Sequence, residues 1–218
     1  MKLYSGPVSM FGAKAEIACF EKGIEPEIEM VPFSMQTLYT PKHPEVLRIN
    51  PKRQVPVLID GDLELFDSTQ IFEYLEDRFP EPPLWPREPK DRARARLLEL
   101  KSDEVFFPHV IRIMPLKGNR EHADWAPAQA AVGAYYRDTD RLLADRDYLA
   151  GPYSYADIAF YMAQFFAARL GMPIPKDLGN LLRWRKLVGE RPAVQRAMKT
   201  RFEFLRDAGF PVPAGALP

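Results

Sequence analysis

The stretch "FPEPPLWPREP" (residues 79–89) constrains the chain most. Its repeated prolines fix φ and remove backbone donors, which excludes both a helix interior and a sheet ladder. It divides the 218 residues into regions of different character, and predicts a first domain over 1–79, a linker over 80–89 and a second domain over 90–218. Each part is long enough to build a small core.

Before the linker the segments alternate in type. "KLY" is short and extended, "FGAKAEIACFEKG" has helical spacing with Gly23 as its stop, and "EIEMVPF" alternates like a strand. "VPVLI" and "LELF" flank "DGD", and Asp-Gly between two apolar runs is a strong hairpin signal. "STQIFEYLEDRF" then repeats Ile71, Phe72, Leu75 and Phe79 at helical spacing, with Ser68 as the expected N-cap. The pattern is β-α-β-α-β-β-α, of the size of a small domain.

After the linker the chain reads as helical almost throughout. "DRARARLLELKSDEVFFPHVIRIM" predicts a long helix kinked near Pro108, and "APAQAAVGAYYRDTDRLLADR" a second with Pro127 in its first turn. "SYADIAFYMAQFFAARLG" is apolar on every face and belongs in a domain centre, with Ser154 and Asp157 at capping-box spacing. The tail "FPVPAGALP" is too proline-rich for regular structure.

Charge narrows the function classes. The 30 basic and 30 acidic residues cancel, so no global field draws in phosphate backbones or anionic lipid, and neither nucleic acid nor membrane is an expected partner. The first residues lack a signal-peptide pattern and no window reaches spanning length, which points to the cytoplasm. Cys19 stands alone, and His43, His109 and His122 are scattered, so no metal site is expected.

Four features, taken in order, carry a resemblance. "LYSGPVS" leads into a helix, "QVPVL" opens the hairpin, "FDSTQIFEYLEDRFP" closes the first domain, and "YSYADIA" caps a buried helix. Together they make the chain similar to the cytosolic glutathione transferases, of the bacterial type with a serine at the start of the first helix. The resemblance covers nearly the whole chain. It implies a thioredoxin-like α/β N-terminal domain with a mixed four-stranded sheet that binds glutathione, an all-α C-terminal domain facing an electrophile, and a homodimer with a detoxifying role. Glutathione would be the cosubstrate, with no metal. The same fold also serves as a non-catalytic binding or assembly module, and that alternative stands beside the enzyme.

The resemblance also distributes roles. Pro56 corresponds to a cis proline that lets Val55 pair with the cysteinyl part of glutathione, and Asp67 and Ser68 match the acid and serine that hold the γ-glutamyl group at a helix N-terminus. Singly, Pro56 reads as an edge-strand proline, Ser68 as a plain cap and Asp67 as a first-turn charge; their joint spacing favours a binding site. Gln54 stands where relatives meet the glycyl end, with Arg53 and Lys52 as alternatives. Ser9, five residues before Lys14, is the candidate hydroxyl for stabilising the glutathione thiolate, with Tyr4 and Ser5 as rivals. Cys19, well inside the helix, reads as a buried inert thiol. Met10, Phe11, Phe107, Ile111 and Met114, with Phe106, are candidates for an apolar electrophile pocket, and Asp103 for a contact to the partner subunit's glutathione. A Ser-Ser-Cys start, expected of maleylacetoacetate isomerases, is absent from "YSGPVSMFG".

Overall fold

The computed structural model describes residues 1–34, 36–116 and 118–210. The proline-rich tail beyond Phe210 lies outside the described residues. The chain divides into two compact units, Met1–Pro83 with Pro192–Phe210 and, separately, Leu84–Arg191.

In the first unit β1 (Lys2–Ser5) leads to α1 (Met10–Glu21), β2 (Glu27–Met30), the short α2 (Pro44–Ile49), the hairpin β3 (Val57–Asp60) and β4 (Leu63–Phe66), and α3 (Ser68–Arg78). The sheet is four-stranded and mixed, in the order β2-β1-β3-β4. β1 and β2 are parallel, while β3 runs antiparallel to both β1 and β4. The hairpin turns at Gly61 and Asp62, with Gly61 at φ 66° in the first central position, where glycine is favoured.

Side chains alternate across this sheet. Tyr4 and Val57 point to one face, where they form a core with Val31 and Val46, flanked by Val55, Tyr39 and Phe66. Leu3 and Leu58, both fully buried, belong by alternation to the other face. α1 packs against α3 there, and also against α9 (Pro192–Asp207). α9 lies in the first unit although its sequence follows the helices of the second. Arg201 pairs with Glu16 of α1, Arg196 with Glu25, and the Phe204 ring meets Phe33 edge-on.

The second unit is helical. It comprises α4 (Pro89–Lys101), a π-helical segment (Ser102–Phe106), α5 (Phe107–Ile113), a 3-10 turn (Met114–Leu116), α6 (Trp125–Leu142), α7 (Tyr155–Arg169) and α8 (Gly179–Gly189). Just before Pro108, where the sequence predicts a kink, the helix passes through a π-helical segment. Proline cannot donate, and the Phe107 N–H before it donates to the Ser102 carbonyl, five residues back. α7 is buried on nearly all sides, and the Phe160 ring packs among Phe106, Tyr136 and Trp184. Both halves of the Ser154–Asp157 capping box are formed. Among the described residues no helix is long and apolar enough to cross a membrane.

Candidate functional site

Register defines one end of the sheet. Tyr4 pairs with Val57 and Val57 with Phe66, so the end of β1, the start of β3 and the end of β4 lie side by side. Three connections leave from there: residues 6–9 into α1, residues 50–56 into β3, and Asp67 into α3. Two helices thus begin at the same end of the sheet. Their unsatisfied N–H groups and dipoles make that end receptive to anions.

Ser9 is the N-cap of α1. Its backbone is extended (φ −84°), and its Oγ accepts a hydrogen bond from the Gly12 N–H at 3.0 Å. Capping uses a lone pair of the hydroxyl and leaves its proton free to donate. The turn before it is closed by the Ser9 N–H on the Gly6 carbonyl at 3.0 Å. Tyr39 packs close to that turn. A Cβ on Gly6 would come within 2.5 Å of its hydroxyl oxygen, so a larger residue there would have to displace the ring.

The two rivals of Ser9 have other occupations. The Tyr4 ring is buried in the core on the α2 face, 4.9 Å from the His43 ring. Ser5 is fully buried and its hydroxyl donates to the Glu16 carboxylate, so its proton is already engaged. Cys19 is buried as well, and burial, reinforced by Glu16, pushes its thiol up to about 12.

The Val55–Pro56 peptide is cis, and Pro56 is buried at the mouth of β3. The loop before it is shaped by Asn50, a residue with no obvious sequence signal. Its side chain donates to the Gln54 carbonyl at 2.5 Å and accepts from the Lys52 N–H at 2.9 Å, and its own carbonyl accepts from Arg53 at 2.8 Å. Lys52, Arg53 and Gln54 are thereby held on an exposed turn, Arg53 with positive φ of 56°.

At α3 the structure corrects the expected cap. Asp67, not Ser68, is the N-cap: its side chain accepts from Thr69 N at 3.0 Å and Gln70 N at 3.3 Å, and Ser68 is the first helical residue. Asp67 takes φ 77° and ψ 128°, outside the left-handed helical well that short polar side chains tolerate, so its backbone is strained. Ser68 is buried beside it.

The apolar candidates belong to both units. Met10 and the half-buried Phe11 start α1 in the first unit, and Met10 is only 3% exposed. In the second unit Phe107 is buried against Phe166, whereas Ile111 and Met114 are exposed. Phe106 is a core residue, packed among Tyr135, Tyr136 and Phe160. Asp103 sits in the π-helical segment, where it adds to the burial that holds the Tyr135 phenol above its ordinary range.

A four-stranded mixed sheet in this order, with a cis proline opening its hairpin and two helices starting at one end, defines a thioredoxin-like domain. Residues 3–83 match the family model of the glutathione S-transferase N-terminal domain. Over 95% of both chains this protein is 27% identical to a stringent starvation protein A homolog of Coxiella burnetii, and over 92% of this chain and 91% of the other it is 29% identical to glutathione S-transferase 2 of Saccharomyces cerevisiae. The crystal structure of a glutathione S-transferase from Rhodospirillum rubrum superposes with a TM-score of 0.76 at 27% identity, covering 90% of this chain and 91% of that one. The chain belongs to the cytosolic glutathione transferase superfamily.

Proposed function

We propose that the protein binds glutathione at the shared end of the sheet, activates it as a thiolate and conjugates it to a small hydrophobic electrophile. The carrying observation is the juxtaposition of the Ser9-capped start of α1, the Val55–Pro56 entry to β3 and the Asp67-capped start of α3 at one end of the sheet. In this reading the Val55 backbone pairs with the cysteinyl unit. Ser68 and the start of α3 receive the γ-glutamyl carboxylate, and the Asp67 oxygen not used in capping faces its ammonium group. Gln54 and Arg53 serve the glycyl end. The Ser9 hydroxyl donates to the sulfur, whose free pKa of about 8.5 leaves little thiolate at neutral pH. Sulfur then attacks the electrophilic carbon, the C–S bond forms, and the leaving group departs with its electron pair.

The test is conjugation of a chlorinated nitroaromatic, with glutathione affinity measured by calorimetry in parallel. Millimolar glutathione should also raise the melting temperature, since a ligand bound only to the folded state stabilises it. The absence of both a heat of binding and a thermal shift would refute the binding reading. Ser9→Ala should leave affinity nearly unchanged and raise the bound thiol pKa by about one to two units, the equivalent of one charge-assisted hydrogen bond. Ultraviolet absorbance of the thiolate against pH reports that shift. We further propose a cytoplasmic homodimer, in which Asp103 reaches the partner's site; light scattering at the mass of a 25.0 kDa monomer would refute it.

A second reading is a glutathione-binding module without turnover. It draws on the full-length similarity to a protein named for stringent starvation rather than for a reaction. Tight glutathione binding combined with an unshifted thiol pKa and no conjugation would favour it.

A further inference from the structure

Behind the first turn of α1 lies a charged knot that no part of the proposed chemistry uses. Ser5, Glu16 and Arg201 are 0%, 2% and 2% exposed and come from β1, α1 and α9. The Ser5 hydroxyl donates to Glu16 Oε1. Arg201 grips the same carboxylate with both terminal nitrogens, Nη1 to Oε2 at 2.9 Å and Nη2 to Oε1 at 2.7 Å. Nη1 also donates to the Ala197 carbonyl at 2.8 Å, while the equally buried Nε has no hydrogen-bond partner among the described residues.

A buried ion pair is a poor stabiliser. Desolvation offsets most of its attraction, and a set of apolar side chains of similar volume would hold the same elements as firmly. An unpartnered Nε adds a further cost. Direction is what the pair supplies and apolar packing does not. A planar guanidinium meets a carboxylate through two parallel bonds in one registration, and the Ser5 hydroxyl adds a third fixed point. Sliding or rotating α1 would break all three.

We propose that Ser5, Glu16 and Arg201 are positioning residues, which fix the axial position and rotation of α1 so that the Ser9 hydroxyl stands where the glutathione sulfur binds. Glu16 lies seven residues after Ser9, about two turns along a rigid helix, and Gly12, whose N–H bonds Ser9 Oγ, lies midway against Ser5. Geometry set at Glu16 is carried to Ser9 by the helix itself. The inference rests on the reading of Ser9 as the thiol-activating hydroxyl.

The test uses Glu16→Met/Arg201→Met, which exchanges the complete pair for apolar side chains and is therefore expected to fold, and Ser5→Ala, which keeps the pair and cuts its tie to β1. Glutathione affinity, melting temperature and the thiolate titration are measured for both, with wild type and Ser9→Ala as references. The double variant should melt near the wild type and bind glutathione within about threefold, yet raise the bound thiol pKa by about one unit, a tenfold change in ionisation. Its kcat should fall with KM unchanged. A titration curve coincident with the wild type, while Ser9→Ala is shifted, would reduce the knot to packing. If the double variant does not fold, Ser5→Ala decides, and a coincident curve overturns the proposal. A Ser9→Ala curve coincident with wild type would remove the Ser9 reading and this inference with it, and a wild type that binds no glutathione would remove the proposed function as a whole.

Discussion

Asp157→Ala is expected to lower the stability of the helical unit by about 4 kcal/mol, because it orphans three buried N–H donors at about 1–3 kcal/mol each. The Asp157 carboxylate is fully buried at the third position of α7. One oxygen accepts from Leu149 N at 2.9 Å and Trp184 Nε1 at 2.8 Å, and the other from Ser154 N at 2.9 Å and Ser154 Oγ at 3.2 Å. One side chain thus caps its own helix, anchors the chain before it and fixes the indole of α8. Alanine supplies none of these bonds, and the site is too deep for water to replace them all. Circular dichroism should show a melting temperature lower by roughly 10–20 °C. A loss under about 1 kcal/mol would mean that the freed donors find other partners.

The same carboxyl gives stability a pH dependence. Burial pushes it from an ordinary 3.8 up to about 6, against the downward pull of its four donors. A folded-state pKa above the unfolded value means that the folded protein holds a proton the unfolded chain has released. The contribution is therefore full below the unfolded pKa and is lost as pH climbs through the folded one. Relative to Asp157→Asn, which cannot titrate, the wild type should lose on the order of 2 kcal/mol between pH 4 and pH 6. The opposite slope would show that the four hydrogen bonds outweigh desolvation.

What could be read from the sequence was what short spacing determines. Asp60 and Gly61 specify their hairpin because the turn needs φ > 0 at that place, and Ser154 and Asp157 specify their box because the two partners are three residues apart. Pro108 marked a break in the helix but not its π-helical form, which depends on how the preceding ladder re-pairs. At α3, Asp67 and Ser68 are adjacent capping residues; a positive φ at Asp67, visible only in the fold, gives the cap to the acid. Tyr4, Ser5 and Ser9 are three hydroxyls within one short segment. Only tertiary packing shows that Tyr4 lines a core and that the Ser5 proton belongs to Glu16. Glu16 and Arg201 are 185 residues apart, and each reads in sequence as a surface charge on a helix. No local signal distinguishes a buried pair from two solvated ones.

Gly12→Ala should reveal how tightly that pair is held. In an ordinary helix interior, alanine in place of glycine stabilises by about 1 kcal/mol. Here a Cβ at residue 12 would collide with Ser5 Oγ, and the serine cannot swing away without breaking its bond to Glu16. Overpacking of this kind costs about 3 kcal/mol or more, enough to reverse the propensity gain. In a Ser5→Ala background the obstructing oxygen is gone. The next contacts are the residue 5 Cβ at 3.3 Å and the Gly6 nitrogen at 3.4 Å, tight but attainable with shifts of a few tenths of an ångström. Gly12→Ala should then cost at least about 2 kcal/mol less than in the wild type, a coupling that a double-mutant cycle of denaturant melts measures directly. Additive effects would show that the Ser5 side chain gives way freely. In that case β1 and the first turn of α1 would not be locked through Ser5, and the Glu16–Arg201 pair would have no firm anchor on the strand.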